Sequence, residues 1–565
     1  MPGQSGVPLR AIDATAPKLP LIADLAISAA ATALVTGPLW LIRFAPLHDF
    51  PFHVARMQIL HDLFHGGVQA QFYELNRRLL PNLGMDVVVS LLAEAISVEL
   101  ASRLVIVGIV FLMISGAGFL HRSLFNERGL AIPLAALLSY NAVLTAGFIN
   151  YLFSIGLLLW SFGLTIRLRN DRAPRRLLFA LVLAIALFFT HLVAFVLNTV
   201  IVAGIALQAS WPLLRTAPRR AMLLLFESLL PSLVVAAIFL SSMPTAGSTE
   251  QAAVQVEPAT LMAVVKAKWW LVTRMLAGGE NRTLDLVTAG AAAAVTALLV
   301  AFGRPRIAPS TRLANLLICA TFLLAPGAML TAIYLDARLP LVIALCLISC
   351  TQFRFAGTRS RAIAIGLLFV LAGARSVVLA NDWIGYDRVE RQFTDAFACL
   401  PPHAILFSGR GSVEESGLWS GHWQPPIAHI ASLATVTNEA FVPQTWAHPA
   451  QQPIVLRPGY AEIYAFQSPN PLTLSDAQSV AGTVARIRDL TRNGGPRPGG
   501  AGWSPFLLVL EPQALGRIHL DGVTLLVDRP LFALYQIDGV SPPMDRPESC
   551  RLPSDGGPED RSRPQ

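Results

Sequence analysis

The chain is a succession of apolar runs, most of them near the thickness of a bilayer, separated by short loops rich in arginine. Runs at 21–44, 100–121, 129–146, 150–167, 175–190, 191–210, 221–242, 284–303, 313–334, 338–353 and 362–380 approach the ~20 residues a helix needs to cross a hydrocarbon core. In lipid every backbone polar group must be satisfied within the protein, so runs of this length fold as helices. Charged residues make up only 14% of the chain, where soluble domains carry about 25%, and mean hydropathy is +0.55. A net charge of +8 could suggest nucleic acid, but the arginines sit between the apolar runs, so the partner read from them is the lipid bilayer and no nucleic acid is expected. The first run is too long for a cleaved signal's h-region of roughly 7–15 residues and reads as a retained anchor.

The run 83–98 contains Asp86 and Glu94, which are costly in lipid. If it lies in the interface instead of crossing, the basic loops around Arg122 and Arg128, Arg167 to Arg176, Arg215 to Arg220, Arg304 to Arg312 and Arg354 to Arg361 all fall on one side. That is the positive-inside pattern. It predicts a mainly α protein, a polytopic transmembrane helical bundle of about eleven spans, multi-pass in a bacterial inner membrane with its N-terminus cytoplasmic. The expected organisation is a cytoplasmic tail over 1–20 and a transmembrane module over 21–380 with outer loops 45–99 and 243–283. A small periplasmic α/β domain over 381–540 and a disordered Pro-, Asp- and Arg-rich tail over 541–565 follow. In the α/β domain an amphipathic helix is expected over 381–397, with strands at 404–407, 506–510 and 531–537.

Reactive side chains gather where the first run ends, in Pro46-Leu47-His48-Asp49-Phe50-Pro51-Phe52-His53-Val54-Ala55-Arg56. Asp49 reads as a general base at the membrane surface or as the N-cap of a helix beginning near Pro51, and both roles can hold together. His53 and Arg56, three apart, share a helix face, and the Arg56 fork suits a phosphate. His48 completes the cluster. His191 lies between two short spans, and an ionisable group there is a functional candidate. Arg338 breaks the charge rule on the outer side and suits a lipid phosphate, unless it pairs locally with Asp336. Lys266, Lys268, Trp269, Trp270 and Arg274 read as an interfacial helix, with Lys266 a candidate for substrate. His61 and His65 have metal-ligand spacing but lack the glutamate of a His-Glu-x-x-His motif, and no metal is assigned. Cys346 and Cys350 read as packing residues. Asn281-Arg282-Thr283 is a weak glycosylation sequon. Cys399 and Cys550 lie outside the spans in an oxidising compartment and are expected to form a disulfide.

The layout resembles the GT-C superfamily of membrane glycosyltransferases, which use polyprenyl-phosphate-linked sugars. The stretch Asp49-Phe50-Pro51-Phe52-His53-Val54-Ala55-Arg56 is similar to an Asp-x-Pro-x-His-x-x-Arg segment of bacterial membrane proteins of that type, and 429–453, with Ala440-Phe441-Val442-Pro443, is similar to them too. The resemblance implies a first span, an outer loop with an acidic catalytic residue near its start, and a small outer α/β domain. It implies inverting transfer of a sugar to a glycan or lipid acceptor of the cell envelope, with Asp49 as base and Arg56, Arg338 or Lys266 on the leaving phosphate. The lipid-phosphate sugar is then a substrate, and no cofactor is assigned. A non-catalytic transporter or flippase, or an assembly protein, remains an alternative on the same scaffold.

Overall fold

A computed structural model describes residues 21–242, 260–276, 282–329, 332–401, 403–411, 426–467, 470–493, 504–515 and 522–538. Among these, eight helices are long and apolar enough to cross a bilayer: Leu21–Trp40, Val98–Phe125, Ile149–Leu168, Ala173–Thr190, Leu192–Ser210, Pro218–Ser241, Leu286–Gly303 and Thr358–Phe397. The protein is a polytopic helical membrane protein with small sheets near its C-terminus.

Three of the eleven expected spans are shorter helices. The run 129–146 divides into Ala131–Leu137 and Ala142–Thr145, because the Asn141 side chain accepts from the backbone N–H groups of Val143 and Leu144 at 3.0 Å and so starts a new helix. The run 313–334 is a helix Arg312–Leu324 followed by a small hairpin, Ala328–Met329 against Ala332–Ile333. The run 338–353 holds the 11-residue helix Leu339–Ser349, which rises about 17 Å, well short of a hydrocarbon core of about 30 Å. The ambiguous 83–98 run is the 10-residue helix Gly84–Ala93, also too short to cross.

The opposite departure occurs at the end of the spans. The last span and the expected amphipathic helix are one 40-residue helix, Thr358–Phe397. No proline or glycine interrupts 374–384, so nothing stops the helix as its surface turns polar. It extends roughly 60 Å. Beyond the apolar half, Asp387 accepts from the backbone N–H of Arg43 and from Arg391 Nε, both at 2.7 Å, which ties this helix to the end of the first span.

At the bundle centre Val98–Phe125 packs on Ile149–Leu168 through small residues. A Cβ at Gly116 would lie 2.9 Å from Leu159 Cβ, and one at Gly156 would lie 2.6 Å from Leu112 Cβ. Only glycine lets the two backbones approach this closely, the usual solution where lipid offers no hydrophobic drive between helices. Asp24 in the first span is neutralised by Arg122 and by Arg128, the latter at 2.6 Å.

The larger sheet has five strands: β1 Ile405–Gly411, β2 Leu472–Leu474, β3 Pro505–Leu510, β4 Val523–Arg529 and β5 Phe532–Ile537. Their order is β4-β5-β3-β1-β2, with β1 parallel to both neighbours and the remaining pairs antiparallel. Every residue of β3 is buried, as a central strand covered on both faces requires.

A second, two-stranded pairing decides where the functional residues meet. Tyr73–Leu75, from the loop after the first span, pairs antiparallel with Ile454–Leu456, with Tyr73 opposite Leu456 and Leu75 opposite Ile454. Asn76 Nδ2 donates to the carbonyls of Pro449 and Gln452 at 2.7 and 2.8 Å, and Gln69 Nε2 donates to that of Glu439 at 2.9 Å. Phe72 stacks on Phe441 with ring centroids 4.6 Å apart. The sheet-bearing segment is thereby fastened over the helix Phe50–His65.

Candidate active site

The helix Phe50–His65 carries Pro51 in its first turn, as its fixed φ favours, and is capped at its C-terminus by Gly66, whose φ of 72° is left-handed. Asp49 occupies the N-cap position, yet its carboxylate makes no capping hydrogen bond. It is directed instead toward two imidazoles. Asp49 Oδ1 lies 3.8 Å from His48 Nε2 and 3.7 Å from His429 Nε2, and the two Nε2 atoms are 3.1 Å apart. Burial raises the pKa of Asp49, and His48, Arg338 and Arg56 oppose that rise. Asp49 thus stands at the helix start without capping it through its side chain.

The backbone that holds Asp49 is fixed from a neighbouring loop. His48 N–H donates to the Thr145 carbonyl at 2.9 Å and Asp49 N–H to that of Ala146 at 3.3 Å. Gly147 follows with φ of 82°, and a Cβ there would come within 2.7 Å of the Asp49 nitrogen. Both the left-handed backbone and the close approach require glycine. Gly147→Ala is expected to push Asp49 from its place and to lower kcat by about 10²-fold, as a misplacement near 1 Å does. Single-turnover kinetics on the variant checks this.

His53 and Arg56 do share a helix face, but each is already engaged. His53 Nε2–H donates to the Gly147 carbonyl at 3.0 Å, and Arg56 Nη2 donates to His53 Nδ1 at 3.0 Å. Burial, with the Arg56 guanidinium beside the ring, pushes the His53 pKa down to about 3, against the bond to the Gly147 carbonyl, which raises it. Arg56 is buried and forked onto Asp86, with Nε to Oδ1 at 2.7 Å and Nη2 to Oδ2 at 3.3 Å. Asn150 completes the support: it donates to the Asn82 carbonyl at 2.6 Å and accepts from Met85 N–H at 2.6 Å. The expected phosphate role of Arg56 gives way to a buried ion pair, which also explains how Asp86 is tolerated. Arg56→Gln leaves Asp86 buried and unpaired, an expected loss of about 3–5 kcal/mol, whereas the double variant Arg56→Met/Asp86→Leu recovers most of it. Denaturation midpoints of the two variants measure the difference.

Facing this cluster are Arg338 and His191. The helices Ala173–Thr190 and Leu192–Ser210 break at His191, which sits in extended backbone and accepts from Val193 N–H through Nδ1 at 3.2 Å. Arg338 Nη1 lies 3.2 Å from His191 Nε2, and its guanidinium covers the Phe148 ring at 4.0 Å. Tyr151 Oη donates to the Arg338 carbonyl at 2.9 Å. A neutral imidazole accepts at only one nitrogen. With Nδ1 capping the helix, Nε2 carries its hydrogen and faces the Arg338 donor. With Nε2 accepting from Arg338, Nδ1–H faces Val193 N–H. Either tautomer turns a donor toward a donor at one of these two contacts.

Asp336 does not pair with Arg338. Its Oδ2 accepts from Lys268 Nζ at 2.7 Å, and the same ammonium donates to the Ala325 carbonyl at 2.6 Å. Lys266, two residues earlier on the helix Leu261–Arg274, is exposed, so the buried cation of that helix is Lys268. Trp269 and Trp270 are exposed beside it, as expected of interfacial indoles. His61 and His65 stack with centroids 4.3 Å apart, and His65 meets Glu94 at 3.3 Å. Cys346 and Cys350 are buried free thiols. Cys550 and Asn281 lie outside the described residues, as do the tails 1–20 and 541–565.

Among the described residues, His48, Asp49 and His429 form a group able to bring three ligand atoms together. His429 and its support, Gln444, were not singled out from the sequence. Their only signal was the similarity of the segment 429–453, because a residue so distant in sequence reaches the first loop only through tertiary contacts such as the Tyr73–Leu75 pairing and the Phe72–Phe441 stack.

The fold is similar to that of ArnT. The crystal structure of ArnT from Cupriavidus metallidurans bound to undecaprenyl phosphate aligns with a TM-score of 0.48 and 10% identity, over 92% of this chain and 99% of that one. The apo state of the same protein gives 0.48 and 11%, over 93% and 100%. No protein-family profile matches the chain, and no curated protein does.

Proposed function

We propose that this chain is an integral membrane glycosyltransferase that moves a sugar from a polyprenyl-phosphate-linked donor to a cell-envelope acceptor. The observation that supports the reading is the juxtaposition, within electrostatic reach, of a buried carboxylate, Asp49, and the Arg338 guanidinium, which stands beside His191. Asp49 takes the proton of the acceptor hydroxyl. The hydroxyl oxygen bonds to the anomeric carbon as the bond from that carbon to the phosphate oxygen breaks. The electron pair leaves with the phosphate, which Arg338 and His191 receive where its charge develops. One direct displacement inverts the anomeric centre. The site faces the periplasm of a bacterial inner membrane, and the segment 381–540 forms its outer domain.

The deciding experiment supplies radiolabelled polyprenyl-phosphate sugars to membranes from an overexpressing strain. Label transferred to a lipid or glycan acceptor supports the proposal. A purified, folded protein that transfers none from any such donor overturns it. Orientation is tested separately: a cysteine at Leu91, which is exposed, is expected to react with impermeant maleimide from the periplasmic side, and one at Asn170 is not.

A further inference from the structure

The triangle of His48 Nε2, Asp49 Oδ1 and His429 Nε2 has edges of 3.1, 3.7 and 3.8 Å, so a point equidistant from the three atoms lies about 2.1 Å from each, a zinc–ligand distance. Geometry alone therefore admits a divalent cation. The shell behind it decides otherwise, and the decision rests on Gln444.

Gln444 is fully buried. Its Nε2 lies 2.8 Å from the Ala428 carbonyl and 3.1 Å from His429 Nδ1, and its Oε1 lies 2.7 Å from Ser408 Oγ. A carbonyl oxygen only accepts, so the atom facing Ala428 must be the amide nitrogen. The second hydrogen of that nitrogen then points to His429 Nδ1, and Ser408 donates to the amide oxygen. Gln467 holds Ser408 in turn: its Nε2 donates to the Ser408 carbonyl at 2.6 Å and to Ser408 Oγ at 2.8 Å, and its Oε1 accepts from Ser408 N–H at 3.1 Å. His429 Nδ1 is an acceptor. A neutral His429 must carry its hydrogen on Nε2, and a cationic one would set Nδ1–H against the amide.

We infer that Gln444 locks His429 in the Nε2–H tautomer, so that His429 donates to His48 Nε2 and keeps both His48 and a metal ion off the Asp49 carboxylate. A metal-ligating histidine needs its ligating nitrogen bare and usually donates through the other one. Here the arrangement is reversed. The charged and titratable groups around Asp49 are His48 on its own segment, His429 from the sheet-bearing segment, Arg338 and Arg56. With the His48 Nε2 lone pair taken by His429, His48 has no hydrogen on that nitrogen to give Asp49. Asp49 Oδ1 then stays available to an acceptor hydroxyl. His429 and Gln444 are positioning residues. Phe52, stacked on the His429 ring with centroids 3.8 Å apart, holds its plane.

The tautomer is independent of any activity; its catalytic consequence rests on Asp49 being the base of the proposed transferase. The first measurement is ¹⁵N NMR of histidine-labelled, purified protein, with the His429 signals assigned by difference against His429→Phe. A neutral His429 with a protonated Nε2 and a pyridine-like Nδ1 at pH 7 is expected. A protonated Nδ1 overturns the inference. The second is Zn²⁺ titration by calorimetry. The wild-type protein is expected to bind no ion at this triangle at micromolar Zn²⁺. Gln444→Glu, which puts an acceptor opposite Nδ1 and frees Nε2 as a ligand, is expected to gain a site that His429→Phe abolishes. Stoichiometric Zn²⁺ binding by the wild type that depends on His429 overturns the inference, and so does a folded Gln444→Glu protein that binds none. The third is the pH profile of transfer. In His429→Phe, His48 gains an Nε2–H to give Asp49, so the acid limb is expected to move down by about one pH unit while kcat falls about tenfold. An unmoved acid limb overturns the catalytic half. A wild type without transferase activity removes the base reading itself, and the NMR and zinc results still decide the tautomer.

Discussion

Asp49→Asn is expected to lower kcat by about 10²- to 10⁴-fold, the range that a positioned general base contributes. The amide keeps the shape of the side chain and loses only the ability to take a proton. Because burial raises the pKa of Asp49, wild-type activity should fall away with acid at a pH above the usual carboxylate range. The same substitution has an opposite effect on stability. A carboxylate with a folded pKa above its unfolded one favours the folded state most at low pH. That advantage is lost as pH rises from the unfolded value to the folded one. At neutral pH the folded protein bears the cost of a desolvated charge, and asparagine removes it. Asp49→Asn should therefore melt at a higher temperature than the wild type while turning over far more slowly. A well-folded variant with near-normal turnover contradicts the role of Asp49.

Arg338→Gln is expected to reduce kcat by about 10²- to 10³-fold, comparable to removing one preorganised donor from a developing oxyanion. Arg338→Lys should recover only part of this, since an ammonium restores the charge but not the planar fork. The Tyr151 bond to the Arg338 carbonyl does not depend on the side chain and survives both changes. Rates under saturating donor, with donor KM measured alongside, separate loss of leaving-group stabilisation from loss of ground-state binding. A KM effect with unchanged kcat contradicts the assignment.

How far the sequence reveals this molecule depends on how local each determinant is. The apolar runs are local, so most of the spans were legible. The three that shortened did so for reasons one side chain can impose, as Asn141 does by capping a new turn inside an apolar stretch. The 40-residue helix was read as two because its composition changes midway, although a helix ends at a cap or a breaker and not at a change of polarity. Of the five strands in the sheet, β1, β3 and β5 carry dense apolar segments and were expected. β2 is three residues long, and β4 has an exposed end that weakens its pattern.

Asp49, His48, His53 and Arg56 were legible because they cluster in sequence. Their division of labour was not. Whether Arg56 meets a phosphate or Asp86 depends on a neighbour 30 residues away. Lys266 and Lys268 differ by two positions, which on a helix is more than half a turn, so only one faces inward. His429 came from furthest away and was the residue least visible to sequence reading.

The strand pairing between Tyr73–Leu75 and Ile454–Leu456 also imposes an order in time. Asp49 is among the first tenth of the chain to be made, whereas the imidazole that stands over it comes 380 residues later. During synthesis the membrane helices can insert and pack while the pocket is still open. A nascent chain that ends before His429 lacks the imidazole, and one that ends before Ile454 lacks the strand partner of Tyr73–Leu75. The contacts that close over Asp49 are therefore made late in synthesis, after the membrane helices that surround it are complete.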